Sequence, residues 1–135
     1  MAENTGDLLM SAARSLRRQY GAALAAWDIT PAQSRALRIV CELESARLSV
    51  LAERLHIAPR SATEVVDALE TRGWVSRVDD ASDRRAVCVV PTEEGRRLRT
   101  VMDRTRQEQT EEFLAALPQS DRSELNRILS RLQAQ

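Results

Sequence analysis

Apolar residues recur at three- and four-residue spacings through most of the chain, and one interval breaks that rhythm. Leu9, Ala13, Leu16, Tyr20, Leu24 and Trp27 form one stripe, which predicts an amphipathic helix over residues 8–27. Thr30-Pro31-Ala32-Gln33 has the form of a capping box with proline at the first helical position, where a missing N–H costs nothing. It opens a second helix running to about Glu44. An extended piece around Leu48 leads to Ser49, read as the cap of a brief helix that turns Leu51, Ala52 and Leu55 inward. His56 reads as a turn residue, since histidine tolerates left-handed backbone better than most side chains. Ala62, Val65, Val66 and Leu69 mark the next buried face. Pro59 and a Ser61–Glu64 box offer starts two residues apart, and Gly73 closes this helix.

The period then shifts. Trp74–Val78 and Ala86–Val90 are β-prone runs on either side of the polar stretch 79–85, the pattern of a hairpin with a long tip. Pro91 stops the second strand, and Thr92 caps a long helix whose first turn carries Glu93 and Glu94, favourable against the helix dipole. Leu98, Val101, Met102, Phe113, Leu114 and Leu117 mark its buried face. Leu117-Pro118 breaks it, and Ser120 opens a last helix with Leu125, Ile128, Leu129 and Leu132. The expected class is mainly α with a small β-hairpin: a winged helix-turn-helix over residues 30–92, flanked by helices in 1–29 and 93–135.

Composition narrows the function. With 135 residues, 43% apolar and 30% charged, the chain can bury a core of its own. It holds no apolar run long enough for a bilayer. The opening MAENTGDLLM lacks the parts of a secretory signal, so cytoplasmic residence is expected. Cys41 and Cys88 are far apart and His56 is the one histidine, so neither a metal nor a cofactor is expected. Each cysteine reads first as a small buried hydrophobe, with a thiol sensor as the alternative. No nucleophile–base pair or phosphate loop is visible and the four glycines are scattered, which argues against an enzyme.

Bulk charge gives no support to nucleic-acid binding. Arginines and carboxylates balance at six to five over residues 1–47, six to seven over 48–92 and eight to eight over 93–135. Position therefore has to carry the case. All twenty basic side chains are arginine, whose planar fork matches phosphate and guanine as an ammonium does not. In the unit 48–92, the second helix of the pair has the width of the major groove, and its first residues are those that reach base edges. They are Pro59, Arg60, Ser61 and Thr63, facing away from the apolar stripe. Arg84 and Arg85 at the hairpin tip suit a narrow minor groove. Asp79, Asp80 and Asp83 oppose a simple basic patch, and Asp83 is expected to hold an arginine of its own loop. The plain alternatives are a solvated helix face, a bland surface loop, or a winged-helix module that binds protein rather than DNA.

The chain resembles the multiple-antibiotic-resistance repressor (MarR) family. The resemblance is densest at Leu51–Leu55 through Thr63, at Val66–Val75, at Asp83–Ala86 and at Pro91–Gly95. The family's wing signature, Asp-x-Arg, five residues, then Leu-Thr, is met by Asp83, Arg85 and Thr92, with Pro91 in place of leucine. Glu64 stands where relatives often carry a basic or polar residue, and His56 where the turn is commonly glycine. The resemblance implies a ligand-responsive repressor of double-stranded DNA. Ser49 would meet backbone phosphate, Arg60, Ser61 and Thr63 the major groove and Arg85 the minor groove, with Arg72 and Arg77 as further candidates. Asp67 and Glu70 would face solvent or pair with a nearby arginine rather than contact DNA. It also implies a homodimer built from the first and last two helices, through Leu9, Leu16, Leu114, Leu117, Leu125, Ile128, Leu129 and Leu132. One recognition helix reads only about 3 to 5 base pairs, so two copies on a pseudo-palindrome are expected. A small lipophilic or aromatic effector would sit between the helical base and the DNA-binding lobe, where Tyr20, Trp27 and Arg17 could line a pocket; the plainer alternative makes Tyr20 and Trp27 helix-one core and leaves Arg17 solvated.

Overall fold

The computed structural model describes residues 4–134. Helix α1 (Thr5–Leu24) starts three residues before the apolar stripe suggests, because Asn4 caps it and its side-chain oxygen accepts the Asp7 amide at 2.8 Å. A 3₁₀ turn over Ala25–Trp27 follows, and Asp28 ends it in the left-handed conformation at φ 53°. Helix α2 (Pro31–Leu43) opens on the reciprocal box read from sequence: the Gln33 amide donates to Thr30 Oγ1 at 3.1 Å, and the Thr30 amide to Gln33 Oε1 at 3.2 Å.

Three short elements come next: strand β1 (Ala46–Arg47), helix α3 (Leu48–Leu55) and helix α4 (Pro59–Thr71). Ser49 is not a cap. Arg47 occupies that position, no side chain caps α3, and Ser49 lies exposed inside the first turn. His56 takes φ 56° between α3 and α4, the turn geometry expected of it. Of the two starts offered for α4 the earlier is realised, with Ala58 as cap and Pro59 as first residue.

Strands β2 (Val75–Asp79) and β3 (Val87–Pro91) form the hairpin, and β1 joins its far side to give the antiparallel order β1-β3-β2. The sheet therefore has three strands rather than two, with Ala46 opposite Val89 and Arg47 opposite Cys88. Pro91 does not lie beyond the sheet. It is the last paired residue, opposite Val75, and is buried.

Helix α5 (Glu93–Phe113) is clamped to the end of the hairpin. Thr92 Oγ1 donates to the Gly73 carbonyl at 2.6 Å and accepts the Gly95 amide at 3.0 Å, while the Thr92 amide donates to the Trp74 carbonyl at 3.1 Å. The close approach is why residue 95 is glycine: a Cβ there would stand 2.0 Å from the Trp74 oxygen. Gly73, at φ 80°, supplies the left-handed residue that turns α4 into β2. Helix α5 ends at Phe113, short of the expected Leu117, and a turn over residues 114–117 leads into α6 (Gln119–Gln133). Helix α6 starts after Pro118 rather than at Ser120, without a side-chain cap.

The core centres on α2. Leu37 and Val40 meet Leu51 and Leu55 of α3, Val66 and Leu69 of α4, Val75 and Val89 of the sheet, and Leu98 and Met102 of α5. The first half of α5 is thus part of the lobe core, so no structural boundary falls at residue 92. Helix α1 buries Leu24 alone, and α6 buries none of its described residues.

Candidate nucleic-acid interface

The residues expected to meet DNA lie in the first turn of α4, the first turn of α3 and the wing, the loop between β2 and β3. Burying Ala62, Val66 and Leu69 turns Pro59, Arg60, Ser61, Thr63 and Glu64 outward, all exposed. Since no side chain caps α4, the Arg60 and Ser61 amides keep unspent donors at the positive end of the helix. Thr63 is partly committed, its hydroxyl donating to the Pro59 carbonyl at 3.1 Å. It presents lone pairs and a methyl group rather than a proton.

The wing is a folded tip. Asp80 organises it: Oδ1 accepts the Ser82 amide at 2.8 Å and the Ser82 hydroxyl at 2.7 Å, and Oδ2 accepts Arg47 Nε at 2.7 Å. These donors, the Ser82 amide and hydroxyl before Arg47, hold the Asp80 carboxyl well below the usual carboxylate range. The expectation for Asp83 is corrected here. Its carboxylate accepts the backbone amide of Arg85 at 2.9 Å, in a turn of the kind aspartate forms with the residue two ahead. No guanidinium is involved. Arg84 and Arg85 stand exposed at the tip, and neither belongs to an ion pair among the described residues.

Two further candidates are otherwise engaged. Arg77 forms ion pairs with Asp67 and Glu70, both at 2.6 Å, which realises the arginine pairing among the two alternatives open for those carboxylates. Arg72 donates to the Trp27 carbonyl at 2.9 Å and the Asp28 carbonyl at 3.1 Å, and stacks 4.2 Å from the Trp74 ring centre. It fastens α4 to the end of α1, so both arginines leave the set of free cations. Arg47 is what sequence reasoning missed. Its partner lies 33 residues away and nothing local marks it.

An open cleft of about 820 Å³ runs between α1, α2 and α5. Tyr20 and Arg17 line it, with Leu24, Pro31 and Met102 as apolar wall, but Trp27 does not. Trp27 packs on the core instead. The Thr110 hydroxyl donates to the Arg106 carbonyl at 2.9 Å, so the Tyr20 phenol is the donor in its own bond to Thr110. Gln19 donates to the Gln109 carbonyl at 3.1 Å, a second tie between α1 and α5.

Comparison with known proteins bears on this arrangement. Residues 29–87, from the end of the 3₁₀ turn to the start of β3, match the model of the MarR family. That stretch is similar to the MarR family. A curated relative, the HTH-type transcriptional repressor MdtR of Bacillus subtilis, is 33% identical over 67 residues, which is 50% of this chain and 43% of that protein. The chain spans about half the length of the first curated relatives it matches. Among solved structures, a mutant MarR from E. coli superposes with a TM-score of 0.92 at 22% identity, covering 98% of each chain. The same mutant complexed with operator DNA gives 0.78 at 23%, covering 94% of this chain and 91% of that one. At such identities the likeness is one of fold. The MarR fold is therefore shared from α1 to α6, while the family's sequence pattern concentrates in the lobe that carries α3, α4 and the wing.

Among the described residues no helix is long and apolar enough to cross a membrane, and no group of side chains is arranged to hold a metal ion. Both cysteines are free, Cys41 buried and Cys88 half-buried; burial pushes the Cys41 thiol up.

Proposed function

We propose that this chain is a transcription regulator that binds duplex DNA as a homodimer and responds to a small molecule, with repression as its mode. The observation that carries the reading is a pair of exposed cationic sites, one at the start of α4 and one at the tip of the wing. Arg60 and Ser61 project from an uncapped helix N-terminus, and Arg84 and Arg85, in no ion pair among the described residues, from the tip of the wing. A helix end of this kind suits phosphate and base edges in the major groove, and the tip suits the minor groove beside it. Ser49, exposed in the first turn of the likewise uncapped α3, is assigned to the flanking phosphate backbone. The DNA complex known for a MarR of the same fold supports the assignment.

Support for a dimer comes from what one copy leaves open. Leu8, Leu9 and Met10 of α1 and Ile128 and Leu132 of α6 are exposed, and α6 has no fully buried residue. A two-fold partner pairing these helices would cover them and set two copies of α4 on two half-sites. Effector response is assigned to the cleft, because it lies between this helical base and the lobe core. A ligand there shifts DNA affinity by favouring one spacing of the two.

Mobility-shift titration against the protein's own upstream region, at several salt concentrations, tests the reading. Each phosphate neutralised lowers log K by about 0.9 per log unit of salt. A flat salt response with no preferred fragment would point instead to a protein-binding winged helix, the reading that zero net charge and exposed Glu64 favour.

A further inference from the structure

The cleft between α1, α2 and α5 has an electrostatic character of its own. Arg17 and Arg18 reach it from α1, Arg35 and Arg38 from α2, and Arg106 from α5, and no carboxylate lines it. Among the described residues none of these five belongs to an ion pair, whereas Arg47, Arg77, Arg97, Arg99, Arg122 and Arg127 all do. In a chain with as many carboxylates as arginines, this is a local excess of cations without counter-charge.

Arg38 shows the consequence. Its Nε is buried without an acceptor. Burial first, and the Arg106 charge next, pull its pKa down, while Glu42 and Asp103 act the other way. Those two carboxylates are already engaged with Arg99, at 3.6 and 2.9 Å. A buried donor with no acceptor is costly to leave so, and an anionic oxygen entering the cleft would satisfy it and screen Arg106.

We propose that the cleft binds an organic anion carrying at least two negative groups on an apolar body. The proposal rests on the effector role assigned above and names the chemistry of that ligand. One carboxylate fills one guanidinium fork in bidentate fashion and leaves the remaining cations facing each other. A second anionic group, reaching the opposite helix, removes that repulsion. The apolar body follows from Leu24, Met102 and Pro31 and from the Tyr20 ring, over which the Arg106 guanidinium lies at 5.0 Å. At about 820 Å³ the cleft falls in the upper part of the range for drug-sized ligands, about 300–1,000 Å³, and has room for both features. An occupant touching Arg17 and Arg35 together would also tie α1 to α2, the two bodies whose spacing matters.

The test is calorimetric titration of the full chain, without DNA and at fixed ionic strength, with 1,5-naphthalenedisulfonate, 1-naphthalenesulfonate and neutral 1-naphthalenesulfonamide. The disulfonate is expected to bind about tenfold or more tighter than the monosulfonate, with the steeper salt dependence. Arg106→Gln, at an exposed position that leaves the core untouched, and Arg38→Gln should each narrow that gap and spare the sulfonamide. Equal affinity for the two anions, preference for the neutral compound, or no binding by any of the three overturns the proposal. Because no DNA is present, such a failure leaves the DNA-binding reading intact. Disulfonate binding that never alters DNA mobility upholds the ligand chemistry and removes its role as effector.

Discussion

Arg60, Arg72, Arg77, Arg84 and Arg85 look alike in a sequence, yet the fold spends Arg72 on two backbone carbonyls and Arg77 on two carboxylates. Replacing each therefore has a different outcome. Arg60→Ala is expected to cost about 1–3 kcal/mol of binding on the cognate site alone, if its fork pairs with guanine. Equal weakening on random DNA in the same titration would demote it to a phosphate contact. Arg72→Ala is expected to lower unfolding free energy by about 1–2 kcal/mol, through lost carbonyl bonds and ring stacking, with DNA affinity unchanged at 25 °C. Urea melts read the first quantity and mobility shifts the second. Gly95→Ala belongs with these: its Cβ would overlap the Trp74 carbonyl, so the start of α5 must shift, at about 1–3 kcal/mol on the same melts.

At the scale of elements, local signals served wherever the deciding contact was local. The Thr30 box, the left-handed His56 and the Gly73 stop were all readable, since each depends on residues within one turn. Strand β1 was not, because two residues become a strand only by pairing with β3, some forty positions on. Ser49 misled for the same reason: its type suits a cap, but pairing of Ala46 and Arg47 fixes the chain so that α3 begins at Leu48. The wing depends on the same strand, through Arg47 and Asp80. Asp80 has a depressed pKa, so its stabilising contribution is full above the ordinary carboxylate range near pH 4 and is lost only as pH falls through its lower, folded value. Between pH 4 and 7 the wing should thus keep one structure. Carboxyl carbon shifts of Asp80 that stay flat over this range would agree, and a midpoint near 4 would refute it. Asp80→Asn should speed hydrogen exchange at the Ser82 amide while barely moving the melting temperature, as this ion pair lies at the surface.

The whole molecule poses a question that one chain does not answer: what keeps α6 folded. Its fifteen residues bury none of their number, and an isolated helix of that length is marginal in water. Arg122 anchors its first turns, donating to Glu111 and to the carbonyls of Glu111 and Leu114. Nothing comparable holds the later turns, where Ile128 and Leu132 stand 44% and 47% exposed. The apolar periodicity of 120–134 pointed to a buried face; the face exists, with Leu125 and Leu129 half-buried and Ile128 and Leu132 left exposed. If a second copy covers that face, dimerisation and the folding of α6 are one equilibrium. Leu132→Glu then acts twice across a two-fold axis, and burying a leucine is worth about 1.5–3 kcal/mol. The expected result is a rise in the dimer dissociation constant of about a hundredfold or more. Sedimentation should show monomers, and far-UV circular dichroism should show helix lost in proportion to the monomer fraction. DNA affinity should fall steeply, because one α4 reads too few base pairs alone. A variant that sediments as a monomer and retains full helicity would separate the two processes and leave α6 stable for a reason other than a partner copy.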